Sequence, residues 1–193
     1  MQPTYHLKKD RTLIVSAETG TLIEHKPTQK HTQKQEVRTL LAHCLSDLPN
    51  YTFDDTALPY RLTHPKNPPL CVSFSHSQNI VALIISPTAC GIDVELGDIN
   101  EKIAERFFHK NEQALLYTLP KEQQAFARNQ LWRLKESLVK LECKSLATFI
   151  GRDMSELLSF ALMHKGSPTP VFYKKDALWL YQNDALTAVF KET

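Results

Sequence analysis

The chain has 193 residues, 42% of them hydrophobic and 23% charged, and a formal net charge of +2. That composition is ordinary for a globular protein, so disorder is not the default, and the length suits one large domain or two small lobes sharing a core. The charge balance is too mild for the basic stripe of a nucleic-acid binder, so no nucleic-acid partner is expected, although a local basic patch for a phosphorylated small molecule is compatible with it.

In chain order, Leu13-Ile14-Val15 and Thr21-Leu22-Ile23 read as short strands around a Thr19-Gly20 turn. Thr28 to Leu48 reads as a helix, because Val37, Leu40, Leu41, Cys44, Leu45 and Leu48 recur at helical spacing; Pro49 ends it. Its early part is basic, with Lys26, Lys30, His31, Lys34 and Arg38. Residues 50–69 contain Pro59, Pro65, Pro68 and Pro69 and read as loop or sheet edge, since proline cannot donate into a ladder. Leu70 to Phe74, Ile80 to Ile85 and Cys90 to Leu96 read as adjacent strands of one sheet. Helices are expected from about Asn100 to Phe108, from an N-cap near Asn111, and from Pro120 to about Cys143 with Leu131, Leu134, Leu138 and Leu141 as the core stripe. The remainder, Ala147 to Ile150, Leu157 to Met163, Pro170 to Tyr173, Leu178 to Tyr181 and Leu186 to Phe190, reads as strands. Each half thus holds a long helix and several strands. The expected class is α+β, with two similar αβ lobes, residues 1–89 and 90–193, in one compact unit.

Cys44, Cys71, Cys90 and Cys143 form no Cys-x-x-Cys pair, which argues against zinc and for free, mostly buried thiols in a reducing compartment. Met1 to Asp10 has no apolar stretch behind Lys8 and Lys9, and the longest apolar run, Ile80 to Ile85, is strand-sized. A cytoplasmic address with no membrane partner is the expectation.

Four short segments could carry chemistry. In Cys90-Gly91-Ile92-Asp93-Val94-Glu95, strand alternation projects Asp93 and Glu95 together and turns Ile92 and Val94 into the core. Two adjacent carboxylates suit either a solvated strand face or a hard cation. Trp132, Glu136 and Lys140 line one side of a helix, as an exposed ion pair also would. Ser75-His76-Ser77 could donate hydrogen bonds to phosphate or simply cap a turn. The basic cluster ending at Arg38 matters only if the fold turns it toward the same cleft.

The order and spacing of Ser75-His76-Ser77, Gly91-Ile92-Asp93-Val94-Glu95, Arg106-Phe107-Phe108 with Glu112, and Trp132-x-x-Lys135-Glu136-Ser137-x-x-Lys140 resemble the phosphopantetheinyl transferase superfamily. The length and two-halved layout look like its monomeric surfactin-synthetase-activating (Sfp) type. Val37 to His43 looks closest to the bacterial holo-acyl-carrier-protein synthases of that type. The likeness covers residues 74–140 best, is weak over 26–73, and ends at about 146. It implies an active site between the lobes, coenzyme A and an apo acyl or peptidyl carrier protein as partners, and Mg²⁺ as cofactor. It assigns Mg²⁺ to Asp93, Glu95 and Glu136, catalysis to Glu136 and Lys140, coenzyme contacts to Ser75, His76, Arg38 and Lys66, and carrier contacts to Phe107 and Phe108. Glu136 would take the carrier serine's proton directly or through water, and Lys140 would neutralise phosphate charge. Two departures from the family pattern are Lys66-Asn67-Pro68-Pro69, where Gly-Lys-Pro is usual, and Glu142-Cys143-Lys144-Ser145, where a glycine is usual. A non-catalytic carrier- or coenzyme-binding module of the same fold is the alternative these departures raise.

Overall fold

Alternating apolar residues over the first 86 positions build one antiparallel sheet in the order β1-β2-β6-β5-β4-β3. Its strands are β1 (Pro3–Lys9), β2 (Thr12–Glu18), β3 (Thr52–Asp54), β4 (Tyr60–Thr63), β5 (Leu70–Ser77) and β6 (Ile80–Ser86). The computed structural model describes residues 1–9, 11–19 and 29–192, without the side chains of residues 9 and 29–34. Helix α1 (Gln29–Leu45) covers one face of this sheet, packing Leu40, Leu41 and Cys44 onto Val15, Val72 and Leu83.

A second antiparallel sheet runs β7-β10-β9-β8, from β7 (Cys90–Val94), β8 (Thr169–Tyr173), β9 (Asp176–Gln182) and β10 (Leu186–Lys191). Its inner residues Ile92, Val94, Leu186 and Ala188 pack against Ile14, Ala82 and Ile84 of the first sheet. On its outer side, Leu178, Leu180 and Val189 share a core with α2 (Glu101–Phe107), α3 (Lys110–Thr118), α4 (Lys121–Leu141) and α5 (Ser155–Met163). The fold is therefore α+β, with two sheets stacked between helices. No helix among the described residues is long and apolar enough to cross a membrane.

Several expectations are corrected. Pro3–Lys9 is a strand, paired with Thr12–Glu18, that the sequence reading missed. The expected strand Thr21 to Ile23, Lys26, and the side chains of Lys30, His31 and Lys34 lie outside the described residues. Strand β7 is not a ladder neighbour of β5 or β6: it pairs with β10, some 90 residues away, so its partner is invisible to local pattern. Helix α3 is capped by His109 rather than Asn111, in a box whose other half is Glu112. Leu157 to Met163 is helix α5, with Leu157, Leu158 and Ala161 buried on one side, and Leu146–Thr148 is a 3₁₀ turn.

Two contacts fix α4. A Cβ on Gly91 would lie 1.9 Å from the Ser137 carbonyl oxygen and 2.7 Å from the Leu141 nitrogen, so only glycine lets helix and strand approach this closely. Deeper in, the fully buried Glu112 carboxylate accepts from Lys135 Nζ at 2.8 Å, Met154 N at 2.8 Å and His109 N at 2.6 Å, tying α3, α4 and the start of α5 together.

Candidate active site

The edge of β7 away from β10 has no strand beside it, and its N–H groups need partners. Serines on β5 supply them. Ser73 Oγ accepts from Ile92 N at 3.3 Å, Ser75 Oγ from Val94 N at 3.1 Å, and Ser77 Oγ from Leu96 N at 3.1 Å. This side-chain ladder joins the two sheets without a strand pairing. Two of its hydroxyls donate onward, Ser75 to Asp93 Oδ1 at 2.8 Å and Ser77 to Glu95 Oε1 at 3.0 Å. Ser75 is buried in this arrangement, its hydroxyl engaged on both sides.

The strand alternation is as expected: Ile92 and Val94 are buried between the sheets, while Asp93 turns toward α4. Lys140 Nζ reaches Asp93 Oδ1 at 2.8 Å and the Ile92 carbonyl at 2.8 Å. Gly97 N donates to Glu95 Oε1 at 2.7 Å. Each acid is therefore held by one oxygen, and no described residue hydrogen-bonds the other oxygen of Asp93 or Glu95. Trp132, Glu136 and Lys140 are the half-buried positions of a helix stretch otherwise buried from Leu131 to Leu141. Trp132 packs edge-on against Phe107, ring centroids 5.8 Å apart. Burial, with the negative charges of Asp93 and Glu95, raises the Glu136 carboxyl above its ordinary value, against the pull of Lys140. The fully buried Arg133, on the same helix, bonds the carbonyls of Glu95 at 3.3 Å and Asp184 at 2.6 Å, and burial lowers it to about 10.

Of β5, strand β4 covers only Leu70–Val72. Beyond that point a cavity of about 480 Å³ opens, lined by Val37 and Arg38 of α1, Phe53, Asp55, Tyr60, Phe74, Ser75, His76 and Lys140. Phe53, Tyr60 and Phe74 form an aromatic wall with centroids 5.6–6.0 Å apart. Arg38 stands in it, ion-paired with Asp55 at 3.0 Å. Burial and the Lys140 charge lower the His76 imidazole from its ordinary value, against Asp93.

The structure thus brings together Asp93, Glu95, Glu136, Lys140, Ser75, His76 and Arg38. It does not bring Lys66 to them: that residue is exposed in the β4–β5 loop, at the far end of β5, and is absent from the cavity lining. Phe107 is half-buried, but Phe108 is a core residue only 5% exposed, so the carrier contact expected of it is not offered from this position. Sequence reading named Ser77 as a phosphate donor or turn cap but missed its bond to Glu95, and missed Arg133, Asp55 and the aromatic wall. The period-two serines at 73, 75 and 77 were the available signal for Ser77; the others depend on tertiary packing. The glycine-less turn after α4 retains a Schellman pattern, Lys144 N to Val139 O at 3.0 Å and Cys143 N to Lys140 O at 3.2 Å, with Cys143 at φ 51° in the glycine position.

Residues 89–190, just over half of the chain, match the family model of the 4'-phosphopantetheinyl transferase superfamily. The chain belongs to that superfamily. Its relatives are of the Sfp type. It is 33% identical over 105 residues to 4'-phosphopantetheinyl transferase gsp of Aneurinibacillus migulanus, 54% of this chain and 41% of that protein. It is 33% identical over 105 residues to ffp of Bacillus subtilis, covering 54% and 38%, and 36% identical over 84 residues to Sfp of Bacillus subtilis (strain 168), covering 43% and 38%. The matched stretch thus spans about two fifths of these relatives' length. The family match runs to residue 190, which corrects the expectation that likeness ends near 146, and it leaves Ser75–Ser77 and Arg38 outside.

Proposed function

We propose that the chain transfers the 4'-phosphopantetheine of coenzyme A to a serine of an apo acyl or peptidyl carrier protein, releasing 3',5'-ADP with Mg²⁺ as cofactor. It would work as two lobes, residues 1–89 and 90–193, with the site at their junction. The names of the relatives support the reaction class. The observation that carries the reading is the ion pair of Lys140 with Asp93 at 2.8 Å, where Lys140 lines a cavity that also holds Arg38 and His76, with burial and the charges of Asp93 and Glu95 raising Glu136 one helical turn away.

Among the described residues no group of three His, Cys, Asp or Glu side chains is placed to hold a metal ion. The donor set still fits Mg²⁺, which takes few carboxylates and completes its shell with water and substrate phosphate oxygens. A cation would also offset the repulsion that raises Glu136. Asp93, Glu95 and Glu136 are the residues that would hold it. When bound, it supplies neutralisation of the diphosphate charge.

The aromatic wall suits a stacked base, and Arg38 and His76 suit its phosphates. Lys140, one helical turn beyond Glu136, is suited to stabilising the leaving phosphate. The carrier serine's oxygen bonds the phosphorus that carries pantetheine, the bond from that phosphorus to the bridging oxygen breaks, and 3',5'-ADP departs. Glu136 is the proposed acceptor of the serine proton, directly or through water. Such transfer depends on alignment and charge more than on covalent help. The test is intact-mass analysis of apo carrier proteins after incubation with coenzyme A and Mg²⁺. Binding of coenzyme A that ignores the metal, with no transfer, would favour a non-catalytic module instead.

A further inference from the structure

The three ladder serines make the same bond to β7 but differ in what they do next. Ser73 accepts from Ile92 N at 3.3 Å and bonds no carboxylate, whereas Ser77 accepts from Leu96 N at 3.1 Å and sends its proton to Glu95 Oε1 at 3.0 Å. A hydroxyl has one proton, and with a backbone N–H occupying one lone pair its direction is set. Gly97 N, at 2.7 Å, is the second donor to the same oxygen. The two donors together hold one oxygen of the Glu95 carboxylate, while no described residue hydrogen-bonds the other.

We propose that Ser77 is a positioning residue for the Glu95 carboxylate, holding one of its oxygens so that the other is presented to the divalent cation. This rests on the reading of Asp93, Glu95 and Glu136 as the cation's protein ligands. Groups that orient a metal-binding carboxylate commonly change metal affinity ten- to a hundredfold when removed. Asp93 Oδ1 has Ser75 and Lys140 as donors, whereas the only side-chain donor to Glu95 Oε1 among the described residues is Ser77, beside the backbone N–H of Gly97.

The experiment measures Mn²⁺ dissociation constants on the full chain with saturating coenzyme A, by loss of the free-ion electron paramagnetic resonance signal. Wild type is compared with Ser77→Ala, Ser77→Cys, Ser77→Thr, Ser73→Ala and Glu95→Gln, each checked for folding by its thermal transition. The expected result is about tenfold weaker Mn²⁺ binding in Ser77→Ala and Ser77→Cys, recovery to within about threefold in Ser77→Thr, which restores the hydroxyl, and unchanged binding in Ser73→Ala despite a lowered thermal transition. Ser77→Cys fills the space with a poor donor and carries the test if Ser77→Ala does not fold. Wild-type Mn²⁺ affinity in Ser77→Ala or Ser77→Cys beside weakened binding in Glu95→Gln overturns the role of Ser77 and leaves the metal reading intact. Equal weakening in Ser73→Ala overturns it too, by reducing the ladder to a structural stitch. Wild-type affinity in Glu95→Gln itself overturns the metal reading on which the proposal rests.

Discussion

The two sheets divide the site unequally. The four-stranded sheet with α4 lies within the family match at residues 89–190 and carries Asp93, Glu95, Glu136 and Lys140. The six-stranded sheet with α1 lies outside it and carries the ladder serines, His76, Arg38 and the aromatic wall. The first set is spaced by one strand and one helix, and its geometry follows from alternation, helical pitch and the contact that Gly91 allows. The second set is gathered from four separate elements, α1, β3, β4 and β5. On this account the matched half sets the chemistry and the unmatched half sets how the coenzyme is gripped.

Substitutions in the two halves should separate turnover from binding. The largest effect is expected in the matched half: Glu136→Gln should lower kcat by roughly 10²–10³-fold in a carrier-protein mass assay. It should not lower the thermal transition near neutral pH. The sign follows from the raised Glu136 carboxyl. The folded chain binds that proton more tightly than the unfolded chain, so ionised Glu136 costs stability above its folded pKa, and the cost disappears as pH falls below the ordinary value of 4.5. A variant destabilised at neutral pH would contradict this.

Gly91→Ala comes next. Its methyl would meet the Ser137 carbonyl at 1.9 Å and must push α4 from β7, costing about 3 kcal/mol and lowering activity through separation of Lys140 from Asp93; urea unfolding reads the first and kcat the second. In the unmatched half, Arg38→Ala should raise KM for coenzyme A about tenfold, the worth of one exposed charged contact, with kcat nearly unchanged. A fall in kcat alone would assign Arg38 to the chemistry instead. The smallest effect is Cys143→Gly, which relieves a left-handed backbone at φ 51° and should stabilise by about 0.5–1 kcal/mol in urea titration without altering turnover.

The same division governs what could be read from the sequence. The facing of Asp93 and Glu95, the buried stripe Leu131, Leu134, Leu138 and Leu141, and the row Trp132, Glu136 and Lys140 follow from period two and period 3.6, which survive in the folded chain. The partner of β7 was not legible, because β10 lies at the other end of the matched region. Helix α5 was misread since a short apolar run fits helix or strand equally until its neighbours are known. The resemblance alone assigns Phe108 a carrier contact, yet it is the first residue past α2 and a member of the core. The resemblance likewise assigns Lys66 to the coenzyme, standing where the family has Gly-Lys-Pro, but it precedes the start of β5 while Ser75 and His76 lie toward the end of that strand.

The most direct test of the account is intact-mass spectrometry of a panel of apo carrier proteins incubated with coenzyme A and Mg²⁺, with wild type and Asp93→Asn side by side. The account predicts that at least one carrier gains a single phosphopantetheine with wild type and none does with Asp93→Asn. Folded wild-type protein that modifies no carrier, or an Asp93→Asn variant that modifies one as fast as wild type, would contradict it.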